Sequence, residues 1–193
     1  MLLQRTRAEQ VVPVYRAFAE RYPEAEFLAR EKPADLLGVI GSLGLHWRVP
    51  LMIKMAERIR TVGSPPDRLD DLVELPGVGP YAASAYLSLH RGKRAVIVDA
   101  NVVRCLGRVF GFATGPETRR KAWLLALADR LTPRRNYRDY NYAVLDLAMK
   151  VCVGKPKCAE CPLAKRLCVY AAKTGAIRTT DYAQRSERSP RRR

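Results

Sequence analysis

Three groups of residues in this chain have types and spacings that could do chemistry. Asp99 stands directly before 100–104 (ANVVR), a run that reads as a helix. A carboxylate at a helix start accepts amide hydrogen bonds, and those donors together with the helix dipole favour its ionised form. Capping is the plain role for such a residue. A fixed anion there could also stabilise a cation developing in a bound substrate, and the two roles are compatible. Eighteen residues earlier, Tyr81 follows a glycine-rich turn, LPGVG at 75–79; taken alone, a tyrosine there is more often a packed aromatic with a hydrogen-bonded hydroxyl. Cys152, Cys158, Cys161 and Cys168 follow at separations of five, two and six residues. A cluster with a CxxC core in an intracellular chain is a metal site before it is a disulfide set. Four thiolates suit zinc or an iron–sulfur cluster alike, and spacing does not separate them. Cys105, a fifth cysteine, falls among apolar neighbours and reads as a core residue.

The elements that must position these groups are helices. Residues 67–74 and 80–90 read as two short helices with the LPGVG turn between them. Gly77 and Gly79 permit backbone conformations barred to other residues. They leave amides exposed at a helix N-terminus, where the dipole favours an anion. Leu75 and Val78 can pin the turn to the core, and Pro80 suits a first helical turn. An ordinary helix–helix turn is the alternative; between helices in a chain of net charge +16, the turn reads as a phosphate holder. Its contacts would be independent of base sequence.

Apolar residues recur at helical spacing along most of the chain: Val11, Tyr15 and Phe18; Leu36, Leu37, Ile40 and Leu43; Met52, Ala56 and Ile59; Trp123, Leu127 and Leu131; Tyr142, Leu145 and Met149. Gly115-Pro116 reads as a stop and a new helix start. The strand-like run at 95–98 is too short to argue for a sheet and reads as a buried connection. The pattern predicts an all-α fold of eight or more short helices, with no internal repeat.

Hydrophobic residues make up 48% of the 193, enough for a substantial core. No apolar run is long enough to span a membrane, and the opening MLLQRTRAEQ carries charge where a secretory signal would be apolar. A soluble, cytoplasmic chain is expected. The segment 173–193 contributes +5 of the net charge, leaving +11 on the body. A body that basic points to a polyanionic partner, nucleic acid being the commonest, over a merely solvated basic surface. The end, RSERSPRRR, lacks apolar residues and is expected to be disordered. Met1 opens almost directly into a helical segment, so a preceding piece of chain is expected to be missing.

The combination LPGVG…VDAN resembles the helix-hairpin-helix base-excision DNA glycosylases, the superfamily of endonuclease III and the adenine glycosylase MutY. The resemblance covers about residues 1–170 and is strongest over 75–168. It implies a two-lobed helical glycosylase fold: a helical barrel lobe over 1–93 with the helix-hairpin-helix at 67–90, then a helical lobe over 94–172 with a four-cysteine cluster loop, and a basic tail over 173–193. DNA would lie across the mouth between the lobes. The resemblance makes Asp99 the catalytic carboxylate and Asn101 its support. Tyr81 stands where lyases of the endonuclease III type have lysine. A lysine amine can form a Schiff base with the sugar and go on to cut the strand; a phenol cannot. A monofunctional enzyme follows. For the cysteines the resemblance favours a [4Fe–4S] cluster on Cys152, Cys158, Cys161 and Cys168, although the family spacing is usually six, two and five. The cluster would shape a loop presenting Lys155 and Lys157 to phosphates. A monovalent cation at the hairpin is a further candidate ligand.

An extruded base leaves a gap that something must fill. MLLQRT resembles the family segment whose glutamine enters the duplex, which makes Gln4 the candidate wedge. The loop 44–48 matches a second DNA-facing segment at its Gly-Leu start, making His46, Trp47 and Arg48 candidates for DNA contact, with core packing the alternative for His46 and Trp47. VDAN and 138–141 (RDYN) look closer to the thymine/uracil mismatch glycosylases than to MutY, whose extra C-terminal domain would not fit in the 25 residues after Cys168. The expected partner is double-stranded DNA with a mismatched or damaged base, bound by a monomer at the nucleoid. The expected substrate is T or U opposite G. Adenine removal of the MutY type is the first alternative, and a non-catalytic DNA-binding iron–sulfur protein the second.

Overall fold

The computed structural model describes residues 2, 3, 6–44 and 46–176. Among them the regular structure is entirely helical, and no helix is long and apolar enough to cross a membrane. The chain divides into two compact units, Met1–Arg91 and Gly92–Arg193.

The first unit contains α1 (Ala8–Arg21), α2 (Ala25–Ala29), α3 (Pro33–Ile40), α4 (Val49–Val62), α5 (Leu69–Val73) and α6 (Pro80–His90). Proline opens α3 and α6 at positions where no amide donor is needed. Gly63 ends α4 in the left-handed conformation, φ 86°. Val11, Leu28, Leu36, Ile40, Met52 and Ala56 form its apolar core, where α4 packs on α2 and α3. At its edge Glu31 accepts hydrogen bonds from the Tyr22 hydroxyl (2.8 Å) and the Arg21 guanidinium (3.0 and 3.2 Å).

The second unit contains α7 (Ala100–Phe110), α8 (Ala122–Leu131), α9 (Tyr137–Asp146) and α10 (Val169–Thr174). Its core gathers Val98, Val102, Val103, Leu106, Leu124, Ala128 and Ala148. The extended run at 95–98 is a connection with Ile97 and Val98 buried. The Arg94 guanidinium donates to the Asp129, Thr132 and Pro133 carbonyls, satisfying acceptors that the end of α8 leaves open. Asn141 Nδ2 donates to the Ala95 carbonyl at 3.0 Å. After α9 the helix widens into a π turn, Leu147–Val151, closed by Cys152 N–H donating to the Leu147 carbonyl at 2.7 Å.

Two boundaries differ from the sequence reading. The helix expected from Pro116 begins at Ala122, after a single turn at Thr118–Arg120. There Gly115 N–H donates to Thr118 Oγ1 at 2.8 Å, a local bond that competes with helix formation. The helix expected over 67–74 is α5 alone, because Leu75 N–H turns back to the Leu72 carbonyl.

Candidate active site

The glycine turn lies between α5 and α6. Val78 N–H donates to the Leu75 carbonyl at 3.0 Å, and Gly77 has φ 76°. Proline at the second position and a left-handed glycine at the third are the marks of a type II turn. Leu75 is buried and anchors the turn, while Val78 is half-buried. Gly79 is the N-cap of α6 with φ −99°, a conformation open to any residue. A Cβ placed on it would meet nothing within 4 Å. Neither strain nor crowding inside the protein requires glycine at 79, so what it leaves open is the approach of something from outside. Tyr81, in the first turn of α6, is 43% exposed.

Asp99 is the N-cap of α7, in extended conformation. Its Oδ1 accepts from Val102 N–H at 2.7 Å, and its Oδ2 accepts from Asn101 Nδ2 at 2.8 Å. Each oxygen keeps acceptor capacity, since an ionised carboxylate offers about four lone-pair sites, and the residue is half-buried rather than sealed. Asn101 is held in turn: its Oδ1 accepts from Arg104 Nη1 at 2.9 Å. Arg104 also donates to the carbonyls of Cys152 (3.0 Å) and Ala148 (2.8 Å). A continuous run of hydrogen bonds therefore joins the Asp99 carboxylate to the backbone at the first clustered cysteine.

Cys152, Cys158, Cys161 and Cys168 line one cavity, and Cys105 and Arg108 line it too. Arg108 donates to the Cys152, Val153 (2.5 Å) and Gly154 (2.6 Å) carbonyls. It also approaches Cys152 Sγ at 3.6 Å and stacks over Tyr170 with Cζ 5.2 Å from the ring centre. The Cys152 thiol is drawn down to about 6, first by the hydrogen bond from the Cys105 thiol and then by Arg108, against the opposing effect of burial. The same hydrogen bond, with burial, pushes the Cys105 thiol up. Burial raises the Cys158 thiol as well. Among the described residues no three His, Cys, Asp or Glu side chains gather closely enough to hold a metal ion. Lys155 and Lys157 are exposed on the loop between the first two clustered cysteines.

The sequence-predicted residues thus fall into separate groups. Asp99 and Asn101 meet, the four cysteines share a cavity, and Leu75, Gly77, Val78 and Gly79 share the turn. His46, Trp47 and Arg48 form a single helical turn. His46 and Trp47 are exposed, Trp47 by 59%, whereas Arg48 is 3% exposed and lies with its guanidinium 4.3 Å from the Trp47 ring centre. Gln4 and the tail from residue 177 lie outside the described residues. Sequence reasoning missed Arg104 and Arg108, although Asn101, Arg104 and Arg108 share one helical face by spacing. Cys105 is the buried core residue the sequence suggested; what the sequence did not show is that it also lines the cavity of the other four cysteines.

The sequence profile of HhH-GPD superfamily base excision DNA repair proteins matches residues 1–126. The chain belongs to that superfamily. It is 40% identical over 182 residues to a thymine/uracil-DNA glycosylase of Pyrobaculum aerophilum, covering 90% of this chain and 78% of that one. It is 39% identical over 178 residues to a thymine-DNA glycosylase of Aeropyrum pernix, covering 88% and 78%. A solved structure of a thermostable thymine-DNA glycosylase superposes with a TM-score of 0.83 at 32% identity, over 89% of this chain and 81% of the other. These likenesses bear out the all-α helix-hairpin-helix fold and the base-excision repair class expected from the sequence.

Proposed function

We propose that this chain is a monofunctional DNA glycosylase that removes thymine or uracil opposite guanine from double-stranded DNA, acting as a monomer at the nucleoid. The observation that carries the reading is Asp99, a half-exposed carboxylate whose oxygens are fixed by Val102 N–H and Asn101. As the N-glycosidic bond of an extruded nucleotide breaks, positive charge develops on the sugar, and a preorganised anion stabilises it without reorganising. Water adds its hydroxyl to the sugar carbon and its proton to the departing base, and the strand stays intact. Asn101 and, through it, Arg104 hold the carboxylate in place. Tyr81 has no amine to form a Schiff base, which confines the reaction to hydrolysis. The turn at 75–79 takes a backbone phosphate on its exposed amides, a monovalent cation being a candidate third party there. Gln4, His46, Trp47 and Arg48 belong to the segments that meet the duplex. The names of the relatives support the choice of base.

Cys152, Cys158, Cys161 and Cys168 would hold a [4Fe–4S] cluster. Four thiols that line one cavity supply the all-sulfur donor set such a cluster takes, and the family resemblance favours the cluster over zinc. When bound, the cluster supplies a covalent brace for the loop 152–168 and no hydrolytic group, which leaves Lys155 and Lys157 set for phosphate contact.

The test is a labelled duplex with one T·G or U·G pair, with A·G as control. The expected result is strand scission only after hot alkali, from T·G and U·G. Scission without alkali would contradict the role given to Tyr81, and no product from any duplex would leave a non-catalytic DNA-binding protein. Asp99→Asn should slow base release by about a hundredfold or more with duplex binding retained; unchanged turnover removes Asp99 from the mechanism.

A further inference from the structure

Trp47 and Arg48 reverse the usual order of burial. The arginine is 3% exposed and the indole side chain 59%. The guanidinium carbon lies over the indole, 4.3 Å from the ring centre, so a positive charge is set against one face of the ring. With that face taken and more than half of the residue open, the indole offers its other face outward. The mount is firm. His46–Arg48 is a single helical turn that runs straight into α4, where Val49, Met52 and Ile53 are buried. A flat ring held in place with one face outward is a base-stacking platform, and such stacking is tolerant of base identity. The cation beneath narrows that tolerance. It draws π density toward itself, which leaves the outer face best matched to an electron-rich ring, and guanine is the most electron-rich of the four bases. The net charge of +16 draws a nucleic acid to such a platform before a neutral ligand.

We propose that Trp47 stacks on the guanine left unpaired when a mismatched T or U is extruded, and that Arg48 is its positioning residue, setting the indole and sharpening its preference for guanine without itself reaching the DNA. The inference rests on the reading of the chain as a glycosylase acting on T or U opposite G. Extrusion takes the target base out of the stack and leaves the guanine opposite without a partner. Trp47 reads that opposite base, not the base removed.

The experiment measures duplex affinity in the Asp99→Asn background, where the substrate persists, with one thymine placed opposite G or opposite C. Both pairs are mismatched, so the difference between them isolates the opposite base. The parent should bind T·G about tenfold more tightly than T·C. Trp47→Ala should make the two nearly equal, and Trp47→Phe should keep part of the preference. Arg48→Met, which retains the indole and the stem but not the charge, should lose most of it; Arg48→Lys, which keeps the charge, should retain it. With Trp123→Phe added to the parent, Trp47 emission should fall further on saturation with T·G than with T·C. A preference that survives Trp47→Ala, or emission that responds to both duplexes alike, overturns the stacking. Full preference in Arg48→Met overturns the role given to Arg48. A parent that binds T·G no better than T·C overturns guanine as the opposite base, and this inference with it. Should circular dichroism show Trp47→Ala or Arg48→Met unfolded, Trp47→Phe, Arg48→Lys and the Trp47 emission decide.

Discussion

The first unit is held by oil against oil, with the Arg21–Glu31 and Arg30–Glu26 ion pairs at its surface; the second threads three arginines through its frame. In the first, α2, α3 and α4 bury Leu28, Leu36, Ile40 and Met52 against one another, and the Arg21–Glu31–Tyr22 group decorates the edge. In the second, Arg94, Arg104 and Arg108 donate chiefly to backbone carbonyls. The difference follows from how much backbone each unit leaves outside helices. Helices satisfy their own carbonyls, so the first unit needs side chains chiefly for packing. The segment 152–168 has a short helical turn at Cys158–Glu160 and turn bonds over 161–167, but the Cys152, Val153 and Gly154 carbonyls that open it are met by an arginine, and a buried carbonyl without a donor is costly. Guanidinium groups with five donors each supply what the absent helix does not.

The comparison can be broken at several points. Leu36→Ala removes a fully buried side chain from the first unit and should cost about 2–5 kcal/mol, read by denaturant unfolding, with alkylation of the cysteines in the second unit unchanged. If the loop thiols became reactive as well, the units would not be separately built. Arg108→Met keeps the stem and deletes the donors. It should cost about 1.5–3 kcal/mol, together with faster alkylation of Cys152. A variant as stable as wild type would mean that the carbonyls of Val153 and Gly154 are served by water.

The two glycines of the turn sharpen the contrast further. Gly77→Ala forces a side chain into a left-handed position and should cost about 1 kcal/mol or more. Gly79→Ala should leave the melting temperature unchanged while weakening duplex affinity, because its added methyl meets open space. Affinity that survives Gly79→Ala would remove the turn from the phosphate contact.

The smallest effect is electrostatic. The hydrogen bond from Tyr22, with help from the Lys32 amide and Arg21, holds the Glu31 carboxyl below its usual range. Burial and the bond to Glu31 push the Tyr22 phenol up to about 12. A depressed carboxyl stabilises above its unfolded value and loses that as pH falls through its folded one; a raised phenol does the reverse on the alkaline side. The contribution should therefore be level between about pH 5 and pH 10. Glu31→Gln should lower the melting temperature slightly in that window, with the gap closing in acid. A gap that persists in acid would assign the effect to shape rather than charge.

Much of this was legible in the sequence because it is local. Helical periodicity gave the all-α class, Pro76-Gly77 gave the turn, and Asp99 before a helical run gave a capping carboxylate, while Asn101 as its support came from the resemblance to the glycosylases. What was not legible is tertiary. Cys105 sits among valine and leucine and reads as core, since nothing in its neighbours says that a loop almost fifty residues on brings Cys152 to it. Arg104 and Arg108 share a face with Asn101, yet most of their partners are backbone carbonyls, which leave no mark in a sequence. The same holds for Trp47: an aromatic beside arginine gives no sign of which of the two faces water, and here it is the indole.

The chain has two tryptophans, and they are divided between the units. Trp47 is 59% exposed in the first and Trp123 is 50% exposed in the second, where Trp123 meets the edge of Phe112 at 4.9 Å. Each half therefore carries its own natural fluorophore in a distinct setting, one over a cation and one against a ring. Replacing either with phenylalanine leaves a protein whose emission follows a single half, without any attached dye.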